Sequence, residues 1–370
     1  METSILYASA HSLYSGRARS YLIKAGVPFE EQIPKTQHYR EVVLPRAGGR
    51  QGVPTLELSD GGVIRDGAAI IDHFEAASGH GFSPVTPKHR MLSLLFDVMG
   101  AEGLLRPAMH YRWNFDDDNF AFLRTQFQMF TPPGMEAMAE KMMGNMRQAC
   151  MAFGAVPDTF ALVESLYEAL LDRLQAHFAV HPYLLGGKPC IGDFGMIAPL
   201  YAHLGRDPKP LAMMQAKSPA LFRWVERMNR ADSDMGEFTE TPATYLADDE
   251  VPDTLVEVLR QLAIDFVPET RAAAACINDW LAEQAELEPG TEVVRGVGLG
   301  TFTVEGTTVN ALAQPYRFYL LKRVQDAFAE LDAGEQADVR ALLTTCGLED
   351  VLGITINRGI GRAGNLEVWT

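Results

Sequence analysis

The chain has 370 residues, too many for one ordinary hydrophobic core, so two or three domains are expected. A formal net charge of −16 argues against nucleic acid and against an anionic membrane as partners, because both need clustered Lys and Arg. Apolar residues make up 47% of a globular composition, with no stretch long enough to span a bilayer and no signal-peptide pattern at the start.

Residues 1–80 alternate strand and helix patterns. Ile5–Ala8 reads as a buried strand, Ser15–Ala25 as a helix that stops at Gly26, and Phe29–Ile33 as a second strand. Thr55–Leu58 and Val63–Arg65 read as short strands around Ser59-Asp60-Gly61-Gly62, and Gly67–Ala77 as a helix. The order β-α-β then β-β-α suits a small mixed sheet covered by helices. The Gly- and Pro-containing stretch Ser78–Pro87 reads as a linker. Helical periodicity follows at His89–Leu105, Asn119–Met129, Pro133–Phe153, Asp158–Phe178, Gly192–Leu204 and Pro219–Asn229, which defines an all-helical domain over 88–240. An acidic break at Glu240–Asp253 opens a mixed extension, 250–370. It has helices at Asp253–Phe266, Glu269–Glu286, Tyr316–Leu331 and Glu335–Thr345, and a hairpin of Thr301–Val304 and Thr307–Ala311 about Glu305-Gly306. Gly353–Gly364 carries no usable pattern.

The first strand aims a hydroxyl-rich loop, Ser12-Leu13-Tyr14-Ser15, at a helix N-terminus, where unpaired N–H groups and the helix dipole attract thiolates and carboxylates. Downstream come Gly52-Val53-Pro54-Thr55 and Asp66-Gly67-Ala68. Together these resemble the thioredoxin-like N-terminal domain of the cytosolic glutathione transferase superfamily, and Ser12–Arg19 is similar to the zeta-class S-S-C-S-W-R-V-R pattern. The resemblance covers residues 4–230 and implies an α/β plus all-α fold. A thioredoxin-like βαβ-ββα domain would be followed by a transferase-type helical bundle, with a mixed α+β extension that ordinary transferases lack.

The resemblance further implies glutathione as the bound thiol. Ser12 stands where glutaredoxin-like proteins place the first cysteine and would donate to the thiolate, with Ser15 or Tyr14 as alternatives. Pro54 would be cis, turning the Val53 backbone N–H and C=O toward an added peptide strand. Asp66 would contact the γ-glutamyl group. Gly67 replaces the usual serine, so its N–H remains but the hydroxyl is absent. Arg17, Arg19 and Gln51 could add donors. In the helical domain, Gly186 to Asp193 resembles the family capping motif, with Cys190 in the Ser/Thr place and Asp193 retained. Met109, Tyr111 and Trp113 fall where a second-substrate pocket would lie, with ordinary core as the alternative. The methionine run Met135, Met138, Met142, Met143, Met146 falls in the same region and reads as ordinary core packing, with an adaptable apolar pocket surface as the alternative.

The expected activity is attack of the glutathione thiolate on a small apolar electrophile, by conjugation, isomerisation or reductive or ether cleavage, in a cytoplasmic homodimer with a detoxifying role. The alternative is a non-catalytic, transferase-like binding protein. Cys150, Cys190, Cys276 and Cys346 lie far apart, so neither a zinc site nor a disulfide framework is expected, and free thiols fit a reducing cytoplasm. His177 and His181 are spaced i,i+4 but lack a third ligand, so no metal is expected. The runs Arg295–Gly300 and Gly359–Gly364 imitate nucleotide loops without a βαβ context.

Overall fold

Strand β1 (Ser4–Tyr7) buries Leu6 and Tyr7 and leads through a Ser9–His11 loop into α1 (Leu13–Lys24). The computed structural model describes residues 3–370 except 133 and 285. β2 (Phe29–Gln32) pairs parallel with β1. A π turn (Tyr39–Val43) running into the single-turn α2 (Leu44–Arg46) follows, which the sequence reading did not anticipate. β3 (Thr55–Glu57) and β4 (Val63–Arg65) complete a mixed four-stranded sheet of order β2-β1-β3-β4, and α3 (Gly67–Ser78) crosses it. The N-terminal unit is thus thioredoxin-like, as expected.

The helical region comprises α4 (Pro87–Val98), a π turn (Met99–Gly103), α5 (Leu105–Trp113), α6 (Asp116–Gln128), α7 (Glu136–Ala152), α8 (Phe160–Phe178), α9 (Ile191–Ala202), α10 (Pro208–Lys217) and α11 (Pro219–Met228). The expected helix start at Pro133 lies outside the described residues. Helix α10 is not among the expected helices; it opens on Pro208, and proline is accommodated in a first helical turn. The α4–π-turn segment meets α9 at glycine: a Cβ on Gly100 would lie 2.4 Å from the Gly195 carbonyl carbon. Cys190 is the N-cap of α9, and Asp193 accepts from the Cys190 N–H at 2.9 Å and from the Trp224 indole N–H at 3.0 Å.

The extension departs from the sequence reading in two places. The two helices expected on either side of Pro268 are one 30-residue helix, α12 (Asp253–Ala282). Pro268 removes one ladder N–H, but both flanks are held by burial of Phe266, Val267, Glu269 and Thr270. After the expected hairpin, β5 (Leu299–Val304) and β6 (Thr307–Leu312), come α13 (Tyr316–Ala329) and α14 (Ala333–Thr345). The supposedly featureless Gly-rich end forms a second hairpin, β7 (Ile360–Ala363) and β8 (Leu366–Trp369). α12 packs on α8, α13 and α14 pack on α4, and one apolar core runs from Leu6 through Trp224 to Trp369.

A buried ion network fastens the extension. Glu269 of α12 pairs with Arg106 of α5 at 2.9 Å and with Arg317 of α13 at 3.0 Å. Arg106 also bonds Asp265, and Arg317 Nη2 donates to the Glu102 carbonyl at 3.0 Å. Glu269→Ala would leave the buried Arg317 guanidinium without a carboxylate and Arg106 with Asp265 alone, and a loss of about 3–5 kcal/mol is expected in urea denaturation; a loss below ~1 kcal/mol would show that water compensates Arg317. Cys190→Ser places a better acceptor in the fully buried N-cap of α9 and should stabilise by about 0.5–1 kcal/mol. A lowered melting temperature would contradict that account.

Candidate functional site

Ser12 is extended (φ −91°, ψ 120°) and caps α1, with its Oγ 3.5 Å from the Ser15 N–H. The loop before it is pinned from below. Ser9 Oγ bonds His11 Nδ1 at 2.8 Å, and Arg112 Nη1 donates to the His11 carbonyl at 2.7 Å. Arg112 is itself held by Asp207 through two bonds of 2.6 and 2.9 Å. Burial, with Arg112 adding to it, pushes His11 down to about 3, so the loop is anchored by a neutral imidazole. Ser12 as a residue is half-buried. Ser15 is fully buried, and its Oγ accepts the Ser9 N–H at 3.2 Å, so it stabilises the loop from inside rather than facing the cleft.

Tyr14 is 37% exposed, and Glu102, Arg295, Asp66 and Gln314 lie near its phenol. Desolvation lifts its pKa well above the usual phenol value, with Glu102 and Asp66 adding to the rise and Arg295 and Gln314 opposing it. The Val53–Pro54 bond is cis. The Val53 N–H and C=O make no hydrogen bond among the described residues, whereas the Pro54 carbonyl accepts the Asp66 N–H at 3.1 Å.

Asp66 adopts φ +86°, a region that costs a non-glycine residue energy and persists only where its surroundings enforce it. Its carboxylate accepts the Ala68 and Ala69 N–H groups at 3.1 and 3.3 Å and caps α3. It also accepts the Tyr316 hydroxyl of the extension, 2.9 Å from each oxygen, and Arg362 lies 3.7 Å away. At Gly67 a Cβ would sit 3.3 Å from Arg17 Cδ and 3.4 Å from the Tyr14 carbonyl oxygen.

The other expected donors have structural partners. Arg17 is buried against Asp97, and Arg19 pairs with Glu31 at 2.5 and 2.6 Å. Gln51 is exposed, and its carbonyl accepts from Arg295 at 2.9 Å. Met109 and Trp113 pack in a core of α5, α6 and α7, and Tyr111 stacks on Phe115. All three side chains are nearly buried, so the structure assigns them to core and not to the cleft wall. A cavity of about 40 Å³ lies instead among Leu104, Tyr167, Leu170 and Phe266. The methionine run divides: Met143 is core, while Met135, Met138 and Met146 are exposed. Among the described residues, no group of three or more His, Cys, Asp or Glu side chains could hold a metal, and no single helix is long and apolar enough to cross a membrane.

Residues 6–81 match the family model of the glutathione S-transferase N-terminal domain. The N-terminal unit therefore belongs to the glutathione S-transferase superfamily. No curated protein matches the chain. A glutathione S-transferase from Methylobacterium radiotolerans, solved with glutathione sulfonate, is 16% identical over 68% of this chain and 100% of its own, with a TM-score of 0.38. A beta-etherase from Sphingobium sp. strain SYK-6 is 16% identical over 65% of this chain and 100% of its own, with a TM-score of 0.42. A glutathione transferase from Phanerochaete chrysosporium is 13% identical over 63% of this chain and 98% of its own, with a TM-score of 0.44.

Glu102 on the π turn was not singled out in the sequence, and only an isolated acid in an apolar stretch marks it. It is 1% exposed, and its Oε2 has no partner among the described residues. Burial pushes its pKa up to about 8 against the pull of Arg317 and Arg17. The folded value lies above that of the unfolded carboxyl, so stability from the neutral acid is full below about pH 4 and lost as pH rises through 8. Glu102→Gln should therefore gain roughly 2 kcal/mol over wild type between pH 6 and pH 9 in denaturant titrations. A pH-independent difference would show that Glu102 is charged throughout.

Proposed function

We propose that the chain is a glutathione-using transferase, with the tripeptide paired along Val53 and its sulfur directed at Ser12. The open edge at Val53 carries this reading: an unpaired backbone N–H and C=O beside a helix N-terminus capped by the half-buried Ser12. The α1 N-terminus would favour the thiolate over the thiol, and the Ser12 hydroxyl would donate to it. The Tyr14 phenol, protonated at neutral pH, stands as a second donor in the same cleft. The electrophile would be small and apolar. The reactions open to such a site are conjugation, isomerisation, and reductive or ether cleavage.

A specific observation favours the second reading, a non-catalytic ligand-binding protein. The Tyr316 hydroxyl is bonded to Asp66, and a Cβ at position 67 would press on Arg17 Cδ at 3.3 Å. The carboxylate expected to hold the γ-glutamyl end is thus engaged within the protein.

Calorimetric titration with glutathione separates the two. A micromolar to low-millimolar Kd is expected, and no heat at several millimolar would leave the second reading. With an electrophile turned over, Ser12→Ala should lower kcat by roughly 10²-fold with little change in KM for glutathione. Unchanged kcat in Ser12→Ala with a loss in Tyr14→Phe would move the role to the phenol.

A further inference from the structure

Gln51, two residues before the open Val53 edge, is exposed, and its carbonyl is touched by the extension. Arg295 lies in the segment between α12 and β5, is exposed, and donates through Nη2 to the Gln51 carbonyl at 2.9 Å. A guanidinium carries five N–H donors, and this contact uses one. Its neighbours are differently placed. Arg50 pairs with Glu292 at 3.1 Å, Arg65 with Glu367 at 2.7 Å, and Arg362 with Glu367 at 2.7 Å. Arg295 forms no ion pair among the described residues. Arg50, Arg65 and Arg362 share the carboxylates of Glu292, Glu367 and Asp66, and Arg295 adds a further positive charge, so a chain of strongly negative net charge has a positive corner at this point. Arg50 registers the crowding: burial lowers its pKa, and Arg295 and Arg65 lower it further.

A ligand strand paired at Val53 has two ends. One runs toward Asp66, whose N–H is bonded to the Pro54 carbonyl. The other brings its next residue beside Gly52 and Gln51, about 3.3 Å further along, where Arg295 is anchored. We propose that Arg295 is a ligand-binding residue supplied by the extension, and that it receives the terminal carboxylate of a thiol peptide lying along Val53. This rests on the glutathione reading above and adds which end of the ligand the extension recognises.

The test is calorimetry on the full-length protein and Arg295→Ala, with glutathione and with its glycyl monoethyl ester as probes. A hydrogen-bonded charge pair of this kind corresponds to about tenfold in affinity. Wild type should prefer glutathione over the ester by about that factor. Arg295→Ala should weaken glutathione about tenfold and leave the ester unchanged, so that the preference disappears. Arg295→Lys should keep part of it. Equal affinity of wild type for both probes, or an undiminished preference in Arg295→Ala, overturns the assignment and leaves the glutathione reading standing. Absence of binding by wild type to both probes overturns both. Because Arg295 is exposed, an unchanged melting temperature in Arg295→Ala confirms that the comparison is between folded proteins.

Discussion

One carboxylate joins three parts of this molecule. Asp66 caps α3, takes the Tyr316 hydroxyl from the start of α13, and sits under Arg362 from the last hairpin. Its left-handed backbone is held because all of these donors converge on it. The position of the extension follows. With Tyr316 fixed at Asp66, α13 is laid along α4, and the β7–β8 hairpin meets β4 through Arg65, Asn365 and Glu367. A hydrogen bond to a charged acceptor contributes about 1.5–3 kcal/mol net, more than an ordinary surface ion pair.

The extension is consequently a wall of the cleft and no appendage. Breaking it away would expose Arg106, Glu269 and Arg317, which neutralise one another only while α5, α12 and α13 are together. It would also open an apolar core that is continuous from β1 to β8. Three parts of the chain bring charged or polar groups near Tyr14: Asp66 before α3, Glu102 on the π turn, and Arg295 and Gln314 of the extension. A π turn inserted into an otherwise α-helical run displaces the side chains that follow it, and such insertions recur at functional sites. Here it brings a neutral buried acid toward the cleft.

Local signals were legible where a short-range rule sets the geometry. The Val53-Pro54 dipeptide, the helix start after Asp66 and the Glu305-Gly306 turn each depend on a few adjacent residues, and all three are found. The roles of side chains were less legible, because they depend on partners far away in sequence. Ser12 and Ser15 look alike in the chain. Only the Ser9 N–H, brought back over the loop, separates the buried brace Ser15 from the half-buried cap Ser12. Arg17 and Arg19 read as free donors until Asp97 and Glu31 are placed beside them. Tyr111 and Trp113 have the composition of either a pocket or a core, and α6, α7 and α8 decide for core. The long α12 reads as two helices in sequence, and it is continuous through Pro268 because residues on both flanks are buried against partners that the local sequence does not show.

The same dependence changes the meaning of Gly67. Read in sequence, it is a lost hydroxyl and nothing more. In the structure the Arg17 side chain crosses directly over it on the way to Asp97, close enough that a Cβ would press on Arg17 Cδ. The glycine and the buried ion pair are neighbours, since a serine there asks the Arg17 side chain, paired with the 2% exposed Asp97, to give by a few tenths of an ångström. The polar groups at this end of the cleft serve the protein's own architecture, Asp66 toward Tyr316 and position 67 toward Arg17. What remains open to a ligand is the Val53 edge, the Ser12 and Tyr14 hydroxyls, and the unpaired guanidinium of Arg295.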